Sequence, residues 1–191
     1  MSVITSGAGT QAGVTSAHRQ MVQSVSSSDA LDQVLAGWAF TVIENTVTPT
    51  GADDCFLYLG NDSSDPCVVE RIGLTNAGAE VLYLVLSDTY TLATTHAVVD
   101  SAYNRSGASN ALSTKMTAEA GVDITGIGGT TYRVFDMTTG AGTVDGNILE
   151  QGQQIVIPPG QALSVFAATG TAAITNINVD LHFVMEPRVD L

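Results

Sequence analysis

Positive charge is what this chain has least of. Six Lys and Arg stand against 19 acids in 191 residues, a net charge of −13 at pH 7. Proteins that hold duplex nucleic acid cluster Lys and Arg to displace counterions, whereas here Lys115 is the single Lys and the Arg residues are widely spaced. The expectation is no direct nucleic-acid partner and, for the same reason, no anionic membrane surface. Charge of either sign is sparse: 13% of residues, about half the usual share. Such a chain covers itself with Ser, Thr, Asn and Gly, or with other protein. No apolar run approaches the ~20 residues of a membrane helix. The first residues, Met1 to Gly7, lack a basic region followed by an apolar core, so no signal peptide is expected. Synthesis and use in the cytosol follow as an expectation. The two cysteines, Cys55 and Cys67, then default to reduced thiols, with a bridge as the alternative.

Apolar residues are present in quantity, at 45%, enough to build a core. The clearest periodicity is near the C-terminus, where Ile177, Val179, Leu181, Phe183 and Met185 alternate with Asn178, Asp180, His182, Val184 and Glu186. A period of two places one stripe inward and the other outward, the mark of a half-buried antiparallel strand. Upstream, Ile155 to Ile157 is a β-branched run halted by Pro158-Pro159-Gly160. Pro159 suits the second position of a turn and Gly160 supplies the positive φ of a type II turn. With the run 163–167, the stretch 152–186 is expected to form a closing hairpin unit.

Earlier in the chain, residues 1–28 read as a polar arm, disordered in isolation. Residues 29–36 fit a short helix capped by Ser28, or a turn. Strands are expected at 38–43, at 55–59 with 68–74 as hairpin partner, weakly at 91–100 and 118–124, and at 132–137. The run 81–86, Val-Leu-Tyr-Leu-Val-Leu, is apolar on both faces, so its second face needs a cover from this chain or a neighbour. Eight to ten short strands without helix alternation or a fixed repeat point to an all-β protein. The expected architecture is an antiparallel β-sandwich of the jelly-roll kind over 29–191, preceded by an extended N-terminal arm over 1–28.

No catalytic set can be drawn. His18, His96 and His182 stand in no metal-ligand spacing, and Gly-x-Ser-x-Gly and phosphate-loop motifs are missing. Asp180 and His182 share a strand face, which suggests a solvent-facing or interface pair. Gly126-x-Gly128-Gly129 lacks a following helix and reads as a turn. Asp62-Ser63-Ser64-Asp65 with Asp53-Asp54 offers oxygens to Ca²⁺, but exposed Asx turns explain it more simply. Cys55 heads an apolar strand and reads as a buried, inert thiol. No catalytic residue, cofactor or metal is expected.

The segment from Gln154 through Pro158-Pro159-Gly160 to Val165, running on through Thr171-Ala172-Ala173, resembles one near the C-terminus of small structural proteins of tailed bacteriophages. Asn104-Arg105-Ser106-Gly107 and the Gly-rich stretch 123–129 are similar to such virion proteins too. The likeness covers the C-terminal half. It implies a decoration (cement) protein on the capsid surface, bound to the major capsid protein, commonly a homotrimer, assembled in the host cytoplasm and without catalytic residues. The alternative is a tail, baseplate or fibre component contacting the host, with Tyr103 or Tyr132 serving a carbohydrate. Interface roles are expected for Val3, Ile4, Val14, Met21 and Val22 of the arm, and for Leu82, Leu84 and Leu86 of the two-faced strand.

Overall fold

A computed structural model describes residues 3–5, 10–14, 20–24, 34, 36–88, 97–99, 101–122, 124, 129–139, 144–149, 154–170 and 172–184. In the N-terminal stretch, β1 (Val3–Thr5), β2 (Thr10–Val14) and β3 (Gln20–Ser24) pair antiparallel into a three-stranded sheet. Where the composition suggested an unstructured arm, the chain thus carries short strands paired with one another. The expected helix at 29–36 falls largely outside the described residues.

The body runs β4 (Ala39–Val47), β5 (Asp54–Asn61), β6 (Cys67–Asn76), β7 (Glu80–Ser87), β8 (Ala97–Val98), β9 (Ser101–Asn104), β10 (Met116–Ala120), β11 (Thr131–Thr139), β12 (Val144–Leu149), β13 (Ile155–Ile157), β14 (Ala162–Ala167) and β15 (Ile174–Phe183). Two antiparallel sheets pack face to face as a β-sandwich. Sheet I has the order β11-β7-β14-β5-β10-β8; sheet II is β12-β6-β15-β4-β9, with β13 also on β6. Between them lies one apolar core, which includes Phe40, Val42, Phe56, Leu57, Leu59, Ile72, Leu82, Leu84, Ile148, Leu163, Val179, Leu181 and Phe183, all at most 1% exposed. Among the described residues no helix is long and apolar enough to cross a membrane.

Two expected hairpins are corrected. β5 belongs to sheet I and β6 to sheet II, so the polar turn between them carries the chain across the sandwich. Likewise β13, β14 and β15 alternate between sheets II, I and II, so these three strands make a double crossing in place of the expected closing hairpin. Turn chemistry encodes that the chain reverses; whether it reverses within a sheet or across the core depends on which partners bury its apolar face. The turn itself forms as read. Gly160 has φ +73°, the Gln161 N–H donates to the Pro158 carbonyl at 3.1 Å, and the Gly160 N–H docks on the Asn61 carbonyl at 2.9 Å. At Gly170 (φ +63°) an added Cβ would sit 1.6 Å from the Gly51 carbonyl oxygen, so that turn requires glycine.

The two-faced strand is resolved inside the chain. On β7, Leu82 and Leu84 are fully buried in the main core, with Leu86 packed at its margin. On the other face Tyr83 is 8% exposed: it stacks on Phe166 with centroids 5.0 Å apart, and the Arg133 guanidinium lies 3.9 Å from its ring centre. Leu82 and Leu84 therefore spend their surface on the interior and present nothing to a neighbouring copy. All eight residues of β5 are buried as well. Backbone bonds run from Gly121 to the Phe56 carbonyl (3.2 Å) and from Ile124 to the Cys55 carbonyl (3.1 Å), and Ile124 closes a second small apolar cluster with Cys55, Tyr58 and Ala162.

One position tests this packing. Leu84→Ala should cost about 2–5 kcal/mol of folding stability, the usual range for a cavity at a fully buried Leu. Leu84→Asp should fail to fold. Denaturant melts check both, and a soluble, folded but dissociated Leu84→Asp protein would return this residue to an interface.

Candidate functional site

Polar chemistry gathers on the outer face of sheet II, and two register faults place it there. On β6 the core-facing residues are Cys67 and Val69, then Ile72 and Leu74. The phase slips by one because Leu181 pairs with Val69 while Asp180 pairs with Arg71, leaving Glu70 as an extra residue. Such a bulge sends adjacent side chains to one side of the sheet. Glu70 and Arg71 thereby join Asp180 and His182 of β15. A second fault sets Asn176 and Ile177 of β15 against Leu74 alone, and Asn176 adopts φ +52°.

The resulting network is dense. Arg105, just after β9, donates to the Glu70 carboxylate at 2.6 Å. The other Glu70 oxygen lies 3.4 Å from His182 Nδ1. Asp180 accepts from the Thr41 hydroxyl at 2.6 Å and faces Arg71 at 3.7 Å. Of the two alternatives expected for His182 and Asp180, a solvent-facing or an interface pair, the solvent-facing one is corrected, since His182 is 2% exposed. His182 turns to Glu70, which the bulge brings over it, and Asp180 is taken by Thr41 and Arg71. A buried imidazole beside a carboxylate is an arrangement found in catalytic triads, where a hydroxyl or thiol nucleophile completes the set. His18 and His96 lie outside the described residues.

The acidic residues separate. Asp53 and Asp54 stand at the start of β5 and Asp62 and Asp65 just past its end, so the strand holds the two groups roughly 25 Å apart. Each carboxylate has a protein donor: Tyr83 Oη to Asp53 (2.9 Å), the Thr50 N–H to Asp54 (2.8 Å), Thr117 Oγ1 to Asp62 (2.9 Å) and Lys115 Nζ to Asp65. The loop at 62–65 is shaped by Asn61, whose side-chain oxygen accepts from the Ser63 N–H and whose amide donates to the carbonyls of Asp65 and Ile157. That is the Asx-turn geometry read from the sequence. Among the described residues no group of three or more His, Cys, Asp or Glu is placed to hold a metal ion.

Lys115, which follows the 3-10 turn Leu112–Thr114, escaped attention as a lone Lys. Its ammonium lies 4.5 Å from the Trp38 ring centre and 5.3 Å from that of Phe183, and it pairs with Asp65. It pins the corner where β4, β10 and β15 meet. The two candidate sugar-binding tyrosines are exposed, Tyr103 at 58% and Tyr132 at 57%, but they sit on β9 and β11, edge strands at opposite ends of their sheets. They do not form one site. Of the arm residues, Val3 and Ile4 lie on β1, Val14 on β2, and Met21 and Val22 on β3.

One open trough of about 400 Å³ lies beside the network, lined by Arg71, Gly73, Leu74, Thr75, Gly146, Asn176 and Asn178. No protein-family model, curated protein or solved structure matches this chain.

The thiols give a direct check. Cys55 and Cys67 are free and buried, in different sheets. Burial pushes the Cys55 thiol from 9.0 up to about 12, and raises Cys67 as well. In native protein at pH 8, a thiol-reactive dye should label neither, and both should react once the chain is unfolded. Because the folded values are raised, the stability these thiols contribute is complete below pH 9 and declines as pH climbs toward 12. Rapid native labelling of either cysteine would contradict this burial.

Proposed function

We propose that this chain is a non-enzymatic structural protein of a bacteriophage particle. In this reading it decorates the outer surface of the capsid, binds the lattice of the major capsid protein and stabilises it. The observation that carries the proposal is the division of the chain: β1–β3 pair only with one another among the described strands, while the body closes its own core and spends its polar chemistry on internal contacts. Ordering a segment costs about 1–2 kcal/mol of backbone entropy per residue, which three strands of three to five residues, mixing Thr, Gln and Ser with a few Val, Ile and Met, offset poorly by themselves. A partner surface supplies the missing burial, by pairing at a strand edge or in a groove. The partner is the major capsid protein together with neighbouring copies of this chain, a homotrimer being what similar virion proteins form. With Leu82 and Leu84 committed to the core, subunit contacts fall to the N-terminal strands and the sandwich edges. A surplus of 13 acids also favours a basic protein surface over nucleic acid or an anionic membrane.

The second reading, a tail, baseplate or fibre component, has the trough on sheet II in its favour rather than the tyrosines.

Removing residues 1–28 tests the first reading. The truncated protein should keep a sandwich that melts near the temperature of the full chain, and bind bare capsids far more weakly. Unchanged capsid affinity would sink the proposal. Loss of the fold would do so as well, since the segment would then belong to the domain.

A further inference from the structure

Three features mark the trough between β12, β6 and β15. It is lined without a carboxylate among the described residues, in a chain where acids outnumber bases about three to one. Its walls are made by the two register faults, and bulges of this kind are over-represented beside binding sites, where they re-aim side chains. Two glycines line it, Gly73, in register with Asn178, and Gly146, so part of its lining is backbone without side chains. Asn176 holds φ +52°, a conformation that Asn tolerates better than other non-glycine residues.

The chemistry on the walls is specific. Arg71 presents a guanidinium, 47% exposed and steadied from behind by Asp180 at 3.7 Å. Asn178 and Asn176 present carboxamides fixed by local bonds, the Asn178 amide to the Asn176 carbonyl at 2.8 Å and the Asn176 amide toward Thr75 Oγ1 at 3.4 Å. A guanidinium matches a carboxylate with two parallel bonds, and amides match adjacent hydroxyls, which both give and take hydrogen bonds. The volume is within the range of small-ligand clefts, about 300–1,000 Å³.

We infer that this trough binds an acidic saccharide, with its carboxylate on Arg71 and its hydroxyls on Asn176 and Asn178. The inference is independent of capsid attachment, because the trough lies on the sandwich body. The site has no aromatic platform, so the carboxylate contact carries the selectivity and affinity is modest.

The test uses the full-length protein and trigalacturonic acid, followed by NMR or calorimetry at millimolar ligand. Binding should appear, shift resonances of Asn176, Asn178 and Gly73, and weaken about tenfold or more in Arg71→Gln, as expected for losing a charge-assisted pair. Asn178→Ala should weaken it too, while Tyr103→Ala should leave it unchanged. Both trough variants should melt within a few degrees of the parent; should Arg71→Gln unfold, Asn178→Ala decides alone. Three results would overturn the inference: no binding at millimolar trigalacturonate, equal binding of neutral galactotriose, or equal binding of triglutamate. The last would assign the trough to carboxylate-bearing peptides instead.

Discussion

The centre of sheet I has no wet face, and the rest of the molecule is arranged around that constraint. A chain with so few charges cannot clothe both sides of two sheets in polar groups. It turns β5, β7 and β14 into strands buried on both sides: one side meets sheet II, and the other is closed by Ile124, by the stacked Tyr83 and Phe166, and by Arg133. Burying apolar area on two faces is the main favourable term available to such a sequence. It also explains why so many short connections cross between the sheets, since each crossing keeps a two-faced strand between covers. At the margin, the buried Glu80 carboxylate is satisfied from within, accepting from Thr169 N–H and Oγ1, each at 2.7 Å.

Sheet II answers the same scarcity differently. Its outer face is wet, and there the chain places its few cations opposite acids: Arg71 with Asp180 and Arg105 with Glu70. Lys115 with Asp65 and Arg133 with Asp136 do likewise elsewhere. The exposed pair, Arg133 with Asp136, contributes little to stability, about 0–1 kcal/mol. With the cations paired in this way, the surplus of acids sets the net charge of the molecule. A molecule built this way repels copies of itself at long range, so association requires a specific contact or a basic partner. That physical demand is common to the capsid reading and to a segregated N-terminal sheet that supplies the contact.

Much of the fold was legible in the sequence. The alternation at Ile177, Val179, Leu181 and Phe183 gave β15 and its inward stripe; the apolar run at 81–86 announced a strand needing cover; Pro159 and Gly160 gave the turn. Sheet membership was not legible, because a turn residue records local φ and says nothing about the partner strand. The site was less legible still. His182 occupies an outward position in a polar stripe, and only the bulge at Glu70 reveals that a neighbour roofs it. The signal was present in the doublet Glu70-Arg71, two adjacent charges inside an apolar strand, which a strict period of two cannot place on one face. Leu82 and Leu84 looked like interface residues because the two faces of β7 are equivalent in sequence; the covers of the outer face, Phe166 and Arg133, are far apart along the chain and meet only in three dimensions.

The proposed role would place this sandwich on the outside of a virus particle as a structural subunit. Cryo-electron microscopy of particles assembled with and without the protein tests it most directly. The account predicts density of sandwich size at regular positions on the outer head lattice, present only when the protein is present. Such density confined to the tail, or particles that carry no copy of the protein, would contradict it.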